Sequence, residues 1–473
     1  MKITFVGSEA TPFAKTGGLA DVLGSLPKAL VQKGHKVSLI IPKHQAVKTG
    51  FNDSLKAVLK TTVNIHHEKK YLGVETLTHQ GVNVYVVDNE YYFGLRPNLY
   101  GDYDDGERYG YFAHAALTII KDVLPKQDVL HLNDWQTGLI AYLVKYDAKY
   151  RSISSLSTLF TIHNIAYQGR FSKELMSHLD TEYSDILEFD DVLNFLKAGI
   201  MAADHVTTVS PTYTENLQHA YFAYGMQGVL KYRGESFSGI LNGLDYETFD
   251  AATDDAIVKP YTSDTVSSAK KANKKALMEQ FGLKNPQLPL VAMVSRITES
   301  KGFSLVVDVV PDLAEKGLIN FILLGSGDPY YEDTFQYFHD ANSEHFGIYL
   351  GYSDGLARQI YAGADLFLMP SRFEPCGLSQ LIAMRYGTLP VVHKTGGLKD
   401  TVEPFNEYTL EGTGFGFDQF TPDDLKQALL LAISVHGDSD TYKLLQQRAM
   451  SQDFSWDQSA NAYLNLYQEV MNR

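Results

Sequence analysis

Ile3-Thr4-Phe5-Val6-Gly7 opens the chain, a helix-like stretch follows from Leu19 to Lys33, and Lys36-Val37-Ser38-Leu39-Ile40-Ile41 turns apolar again after Gly34-His35. This order predicts a βαβ unit, and its apolar strands suit a parallel sheet covered on both faces. Strands of the same kind recur at Val82–Val87, Asp128–Leu132, Leu159–Ile162 and His205–Val209, with helical patterns between several of them. Thr61–Ile65 and Val74–Thr78 read as an antiparallel addition. A second series runs through Leu290–Ser295, Phe321–Leu324, Gly347–Leu350, Leu366–Met369 and Leu389–Val392. Between the series, Asp250 to Lys275 is polar with a poor apolar period, which places the domain junction near Leu244–Asp250. The fold class is therefore α/β, with two doubly wound domains. In such sheets ligands sit beyond the carboxyl ends of the strands, so a cleft between the domains is the expected site.

At roughly 150 residues per domain, the length of 473 residues also favours two or three domains. The 44% hydrophobic and 21% charged residues allow a full core and argue against disorder. Lys and Arg number 41 against 56 Asp and Glu, a formal charge of −15 that disfavours broad binding to nucleic acid or anionic membrane. Any polyanionic ligand must then be met by locally placed cations. The single cysteine, Cys376, excludes an intrachain disulfide and every thiolate zinc cluster. The N-terminus reaches Glu9 too soon for a signal peptide, and no run approaches the roughly 18 apolar residues of a membrane span. A soluble, cytoplasmic protein is expected.

One repeat stands out. Lys15-Thr16-Gly17-Gly18-Leu19 recurs as Lys394-Thr395-Gly396-Gly397-Leu398, each followed by an aspartate, Asp21 or Asp400. Both copies follow a strand and open a helix, where backbone N–H groups and the helix dipole favour an anion. Arg296 and Lys301 follow the strand Leu290–Ser295 and precede a helix near Gly302. A guanidinium fork and a mobile ammonium could together neutralise a departing diphosphate, although two exposed cations would read the same way. Glu374, in Pro370-Ser371-Arg372-Phe373-Glu374-Pro375-Cys376-Gly377-Leu378, is either a helix-start acid or an anchor for a hydroxyl-rich ligand. Asp134 and His163 end consecutive strands of the first sheet, and polar tips on two sheets raise the functional reading above the structural one.

Other motifs carry less. Gly351-Tyr352-Ser353-Asp354-Gly355 spells a hydrolase elbow with Ser353 as nucleophile and Asp365 and His393 as later partners. No oxyanion loop precedes it, so a glycine-bounded strand–helix turn is the plainer reading. Gly325-Ser326-Gly327 begins a dinucleotide fingerprint, but Tyr330 stands where its third glycine should be. Asp102-Tyr103-Asp104 matches the D-x-D of metal-dependent sugar transferases, and a solvated acidic loop is the default there. His66-His67 reads as an ordinary exposed pair. No zinc-protease, P-loop or kinase motif appears, and the chain calls for no metal or other cofactor.

Taken together, these pieces resemble the bacterial glycogen synthase and plant starch synthase family, retaining glucosyltransferases that use ADP-glucose. The resemblance rests on Lys15–Val22 (KTGGLADV), His131–Trp135 (HLNDW), Thr161–Gly169 (TIHNIAYQG), Ile240–Asp245 (ILNGLD), Ser295–Gly302 (SRITESKG), Ser371–Gln380 (SRFEPCGLSQ), Thr388–Leu398 (TLPVVHKTGGL) and Phe454-Ser455-Trp456. It implies a GT-B fold, with Rossmann-like domains over 1–245 and 246–456 and a final helix, 457–473, returning to the first domain. Lys15, Gly17 and Gly18 would meet the donor diphosphate from the first domain, with Asp21, Asn164 and Asn242 as further substrate contacts. Arg296 and Lys301 would hold the diphosphate from the second. Glu374, Cys376 and Gly377 would line the glucose, and Thr395, Gly396 and Gly397 the distal phosphate. His163 and Asp134 would contact the sugar and the incoming hydroxyl, Gly351 and Tyr352 would lie beside the adenine, and Lys274 is the family's further basic residue.

One departure stands in that pattern. Related transferases carry a second glutamate eight positions after the first, and here that position is Ile382. The implied reaction transfers glucose from ADP-glucose to the non-reducing end of glycogen or a malto-oligosaccharide, with assembly into a homo-oligomer left open. Two other readings stay beside it, an isomerase or hydrolase of a nucleotide sugar and a non-catalytic glucan-binding protein.

Overall fold

The computed structural model describes residues 1–473. The chain forms two compact units, Met1–Gly243 with Trp456–Arg473, and Leu244–Ser455. The first contains β1 (Lys2–Val6), β2 (Lys36–Pro42), β3 (Lys56–Ile65), β4 (Glu68–His79), β5 (Val82–Asp88), β6 (Val129–Asn133) and β7 (Ser157–Ile162). Three short antiparallel strands follow, β8 (Arg170–Phe171), β9 (Glu188–Phe189) and β10 (Val192–Asn194), then β11 (His205–Thr208) and β12 (Phe237–Gly239). The large sheet runs β12-β11-β7-β6-β1-β2-β5-β4-β3. It is parallel as far as β5, and β3 and β4 add an antiparallel hairpin.

The second unit holds β13 (Leu290–Val294), β14 (Asn320–Gly325), β15 (Phe346–Leu350), β16 (Leu366–Met369), β17 (Leu389–His393) and β18 (Phe415–Phe417), all parallel in the order β15-β14-β13-β16-β17-β18. In both sheets the strand order reverses beside the first strand, at β1/β6 and at β13/β16. Crossovers leave in opposite directions there, and the loops part to form a crevice at the carboxyl ends. Glu9 and Asp134 follow β1 and β6, and Arg296 and Glu374 follow β13 and β16.

Where the sequence misled, partners explain why. Asp102-Tyr103-Asp104 is no solvated loop. Arg96 pairs with Asp104, and the fully buried Arg108 pairs with Asp102 (3.0 Å) and Asp105 (2.6 Å) while donating to the Tyr92, Asn98 and Leu99 carbonyls. His66 and His67 are the exposed pair that was expected, here forming the two-residue turn between β3 and β4, both with φ of 56°, and they contact Glu107 and Asp180 at 3.1 and 2.6 Å. The tail of the polar stretch is helix, Val266–Phe281, and its buried face carries Lys270, Asn273 and Lys274 among the apolar residues. That face is polar yet satisfied, which blurs the period. Lys270 Nζ, which burial lowers to about 7, donates to the Tyr361, Ala362 and Tyr386 carbonyls and to Thr388 Oγ1.

The last helix, Trp456–Met471, packs Trp456, Ala460, Tyr463 and Tyr467 into the core of the first unit with Ile3, Phe5 and Leu159. Tyr467 Oη and His131 Nδ1 lie 2.7 Å apart, tying this helix to β6. No helix is long and apolar enough to cross a membrane.

Candidate active site

In the first unit, Asp134 takes a positive φ of 56° immediately after β6. This conformation is costly for a residue with a Cβ, and such strain is found where a site fixes a side chain. Asp134 Oδ1 accepts from the His163 backbone N–H at 2.7 Å. Burial raises its carboxyl to about 7, against the lowering effect of the His163 and Asn164 amides. Asn133 Nδ2 donates to the Val6 and His131 carbonyls, which turns its Oδ1 toward His163 Nε2 at 3.0 Å. That pattern assigns the proton to Nε2 and leaves a lone pair on Nδ1. Burial lowers His163 to about 3, so the ring is neutral and can accept a hydrogen bond from a hydroxyl.

The first glycine pair is closed by a carboxylate that the sequence analysis did not single out. Glu9 accepts from the Thr16 amide and, at 2.7 Å, from Thr16 Oγ1, and it takes a further bond from the Gly17 amide. Burial pushes the Glu9 carboxyl up, against those bonds. Thr16 Oγ1 also contacts Tyr100 Oη. Lys15 is half-exposed and pairs with Asp21 at 2.7 Å. Asn164 Oδ1 accepts from the Ala166 amide at 3.0 Å, and Asn242 Oδ1 is buried without a partner.

In the second unit, a cavity of about 220 Å³ opens beside Ser295, Arg296, Lys301, Met369, Ser371 and Ser379. Glu374 is buried, and its Oε2 accepts from Lys301 Nζ at 2.6 Å and from Ser371 Oγ at 3.0 Å. Arg296 is exposed and forms no ion pair, so one cation at the cavity is uncommitted. Gly302, at φ +81°, lets the cation loop cross β16's end, since a Cβ there would lie 2.0 Å from the Pro370 carbonyl. Arg372 fastens the same loop. Its amide donates to the Ser300 carbonyl at 2.9 Å and its guanidinium pairs with Glu299 at 3.1 Å.

The second glycine pair meets the Glu374–Gly377 loop. Gly397 N donates to the Glu374 and Pro375 carbonyls at 3.1 and 3.2 Å. Glu374, Cys376, Gly377, Thr395, Gly396 and Gly397 are thereby brought together. Gly351 and Tyr352 follow β15, with Tyr352 exposed. Ser353 caps the following helix through the Leu356 amide at 3.3 Å, its expected role in the turn reading. Two corrections follow. The first copy is not an open anion cradle, because Glu9 already occupies its amides. Lys274 is not placed with Arg296 and Lys301. It is buried, donating to Asp365 Oδ2 and the Leu288 carbonyl, each at 2.7 Å. Burial would raise Asp365, but His436 and Lys274 hold it well below the carboxylate range. That pair is structural and also removes Asp365 from any triad. Ser371 and Asn133 lie inside quoted motifs but were given no role there, and Tyr100 lay in none. Only the strand-end position of Asn133, two residues after His131, could have drawn notice.

Two doubly wound units, with a cation pair and an anchored carboxylate at the switch point of the second, and Asp134 at that of the first bonded to the backbone of the neutral His163 after β7, have the architecture of a glycosyltransferase of the GT-B fold. Residues 2–232 match the family model of the starch synthase catalytic domain, and residues 274–449 that of group 1 glycosyl transferases. The chain is 42% identical over 479 residues to glycogen synthase of Exiguobacterium sibiricum (99% of each chain) and 43% identical over 481 residues to that of Streptococcus equi (100% of each). The catalytic domain of starch synthase IV from Arabidopsis thaliana, solved with ADP and acarbose, superposes with a TM-score of 0.90 at 32% identity, covering 100% of this chain and 99% of that one. Sucrose-phosphate synthase from Thermosynechococcus elongatus shares the fold, with a TM-score of 0.63 at 16% identity. The chain belongs to the glycogen synthase and starch synthase family of glycosyltransferases.

Proposed function

We propose that this protein transfers glucose from ADP-glucose to the non-reducing end of an α-1,4-glucan in the cytoplasm, with retention of anomeric configuration and release of ADP. The observation that carries this reading is the uncommitted Arg296 beside Lys301, Glu374 and the 220 Å³ cavity at the switch point of the second unit. The Leu244–Ser455 unit would hold the donor and the other unit the acceptor-side groups. A diphosphate leaves without a strong general acid when cations absorb its charge, the task assigned to Arg296 and Lys301. Glu374, its Oε2 engaged by Lys301 and Ser371, acts as an anchor for the glucose rather than as a nucleophile. The acceptor 4-hydroxyl would then attack the same face through an oxocarbenium-like transition state, its proton passing to the departing phosphate oxygen. His163 Nδ1 would accept from a sugar hydroxyl.

The test is incubation with EDTA and labelled ADP-glucose or UDP-glucose, with and without glycogen. Label should enter glycogen from ADP-glucose, with ADP released only when glycogen is present. Preference for UDP-glucose would move the donor assignment, and donor breakdown without glycogen would overturn the transferase reading.

A further inference from the structure

Gln380 is fully buried, and the acceptors it serves lie in the loop before its own helix and at the end of the helix Gly396–Thr401. Its Nε2 donates to the Cys376 and Gly377 carbonyls, both at 3.0 Å, and to Thr401 Oγ1 at 3.1 Å. Thr401 Oγ1 in turn donates to the Gly397 carbonyl at 2.7 Å, and the Gly397 amide donates to the Glu374 carbonyl at 3.1 Å. These bonds close a circuit. It starts at Glu374, crosses to the second glycine pair, passes through Thr401 and Gln380, and returns at Cys376 and Gly377.

We infer that Gln380 and Thr401 are a positioning pair that sets the Glu374–Gly377 loop against Gly396-Gly397 and so fixes the donor site's geometry. The inference rests on the reading that this unit holds the nucleotide sugar.

Three observations separate this from ordinary core filling. Gln380 Oε1 is buried with no partner. A residue present only to fill space would be apolar, since an unsatisfied buried acceptor is unfavourable. The amide is therefore retained for its donor end. Next, Gly377 stands at φ +76°, and a Cβ on it would lie 2.4 Å from Gln380 Oε1, so the loop is seated directly on this side chain. Last, C=O and N–H point in opposite directions across a trans peptide. With the Cys376 and Gly377 carbonyls turned to Gln380, the N–H groups of Gly377 and Leu378 face the other way. One side chain thus orients two peptide planes of the loop that carries Glu374.

The variants are Thr401→Val, which keeps shape and removes the hydroxyl, Thr401→Ser, which restores it, and Gln380→Leu. Steady-state kinetics, ADP calorimetry and thermal unfolding are read on the full chain. Thr401→Val and Gln380→Leu should raise the KM for ADP-glucose by about tenfold and lower kcat, since small misplacements of reacting groups are expensive. The KM for glycogen should stay within about twofold of wild type and Thr401→Ser close to it, as expected of a displaced donor loop. Folded Thr401→Val with wild-type donor KM and kcat, whatever its melting temperature, would overturn the inference. If Gln380→Leu does not fold, Thr401→Val decides alone. A wild-type protein inactive with ADP-glucose would instead defeat the functional reading beneath it.

Discussion

The two copies of Lys-Thr-Gly-Gly-Leu begin from the same residues and end in different surroundings. In the second copy the protein itself demands glycine. A Cβ on Gly396 would lie 2.1 Å from the Glu374 carbonyl, and one on Gly397 2.2 Å from that of Cys376. In the first copy it does not. A Cβ on Gly17 would meet only Glu9 Oε1 at 3.9 Å, and one on Gly18 nothing within 4 Å. Glycine is used where φ is positive or where something approaches the backbone closely. Gly17 gives its amide to the Glu9 carboxylate, and only at Gly18 does no protein atom approach, which makes Gly18 the position at which to test for a ligand. Their lysines differ as well. Lys15 pairs with Asp21 on its own helix, whereas Lys394 pairs with Asp418, in the loop after β18, at 2.7 Å. Identical local sequence therefore sets where a helix starts, and the neighbours decide what the loop is for.

The largest effect expected from pressing on this contrast lies at the cations beside the second copy. Arg296→Ala or Lys301→Ala should lower kcat by about 10²–10³-fold, the loss typical of removing one group that stabilises developing charge. Lys394→Ala should leave turnover within about twofold, since its ion pair is a surface one. Turnover assays with unchanged melting curves check both, and near-normal kcat in both cation variants would break the assignment. Next comes the glycine contrast. Gly397→Ala should destabilise by about 1–3 kcal/mol, the usual cost of forcing extra volume into a packed site. Gly18→Ala should keep its melting temperature while the KM for ADP-glucose rises. An unaltered KM in Gly18→Ala would mean that the first copy's glycines serve no ligand.

The smallest effect is a pH dependence in the first unit. Asp134 titrates near 7 in the fold, above its unfolded value near 4. Folding thus favours its protonated form, and the stability this contributes is present below about pH 4 and lost as pH rises toward 7. Relative to Asp134→Asn, the wild type should therefore lose melting temperature between pH 4 and 7. His163, lowered to about 3, runs the other way. Its neutral form is favoured, so its contribution is present above about 6.5 and falls away as acid takes the pH toward 3. Parallel melting curves for wild type and Asp134→Asn across that range would show that Asp134 is not raised.

Much of this was legible beforehand. Strands such as Ile3–Val6 and Leu366–Met369 are runs of β-branched and large apolar residues, and burial on both faces leaves that signature in any sequence. The helix Val266–Phe281 was blurred because Lys270 and Lys274 are buried on it, and only carbonyls, the Thr388 hydroxyl and the Asp365 carboxylate, supplied from elsewhere in the chain, make that tolerable. The short strands β8, β9, β10, β12 and β18 were missed, since two or three residues leave no period to read. At the site, Arg296, Lys301, Glu374, Asp134 and His163 stand out by residue type at strand ends. Glu9, Asn133, Ser371 and Gln380 do not, because each acts through a partner that only the fold brings near.

The sequence by itself determined the two parallel sheets, the order of their elements and the strand ends where polar groups collect, because periodicity and glycine-bounded turns are local properties. Only the tertiary structure decided that Glu9 fills the first copy, that Lys274 belongs to a structural pair and that Gln380 braces the second. Those outcomes depend on which groups meet across tens to hundreds of residues, and no short stretch of sequence encodes that.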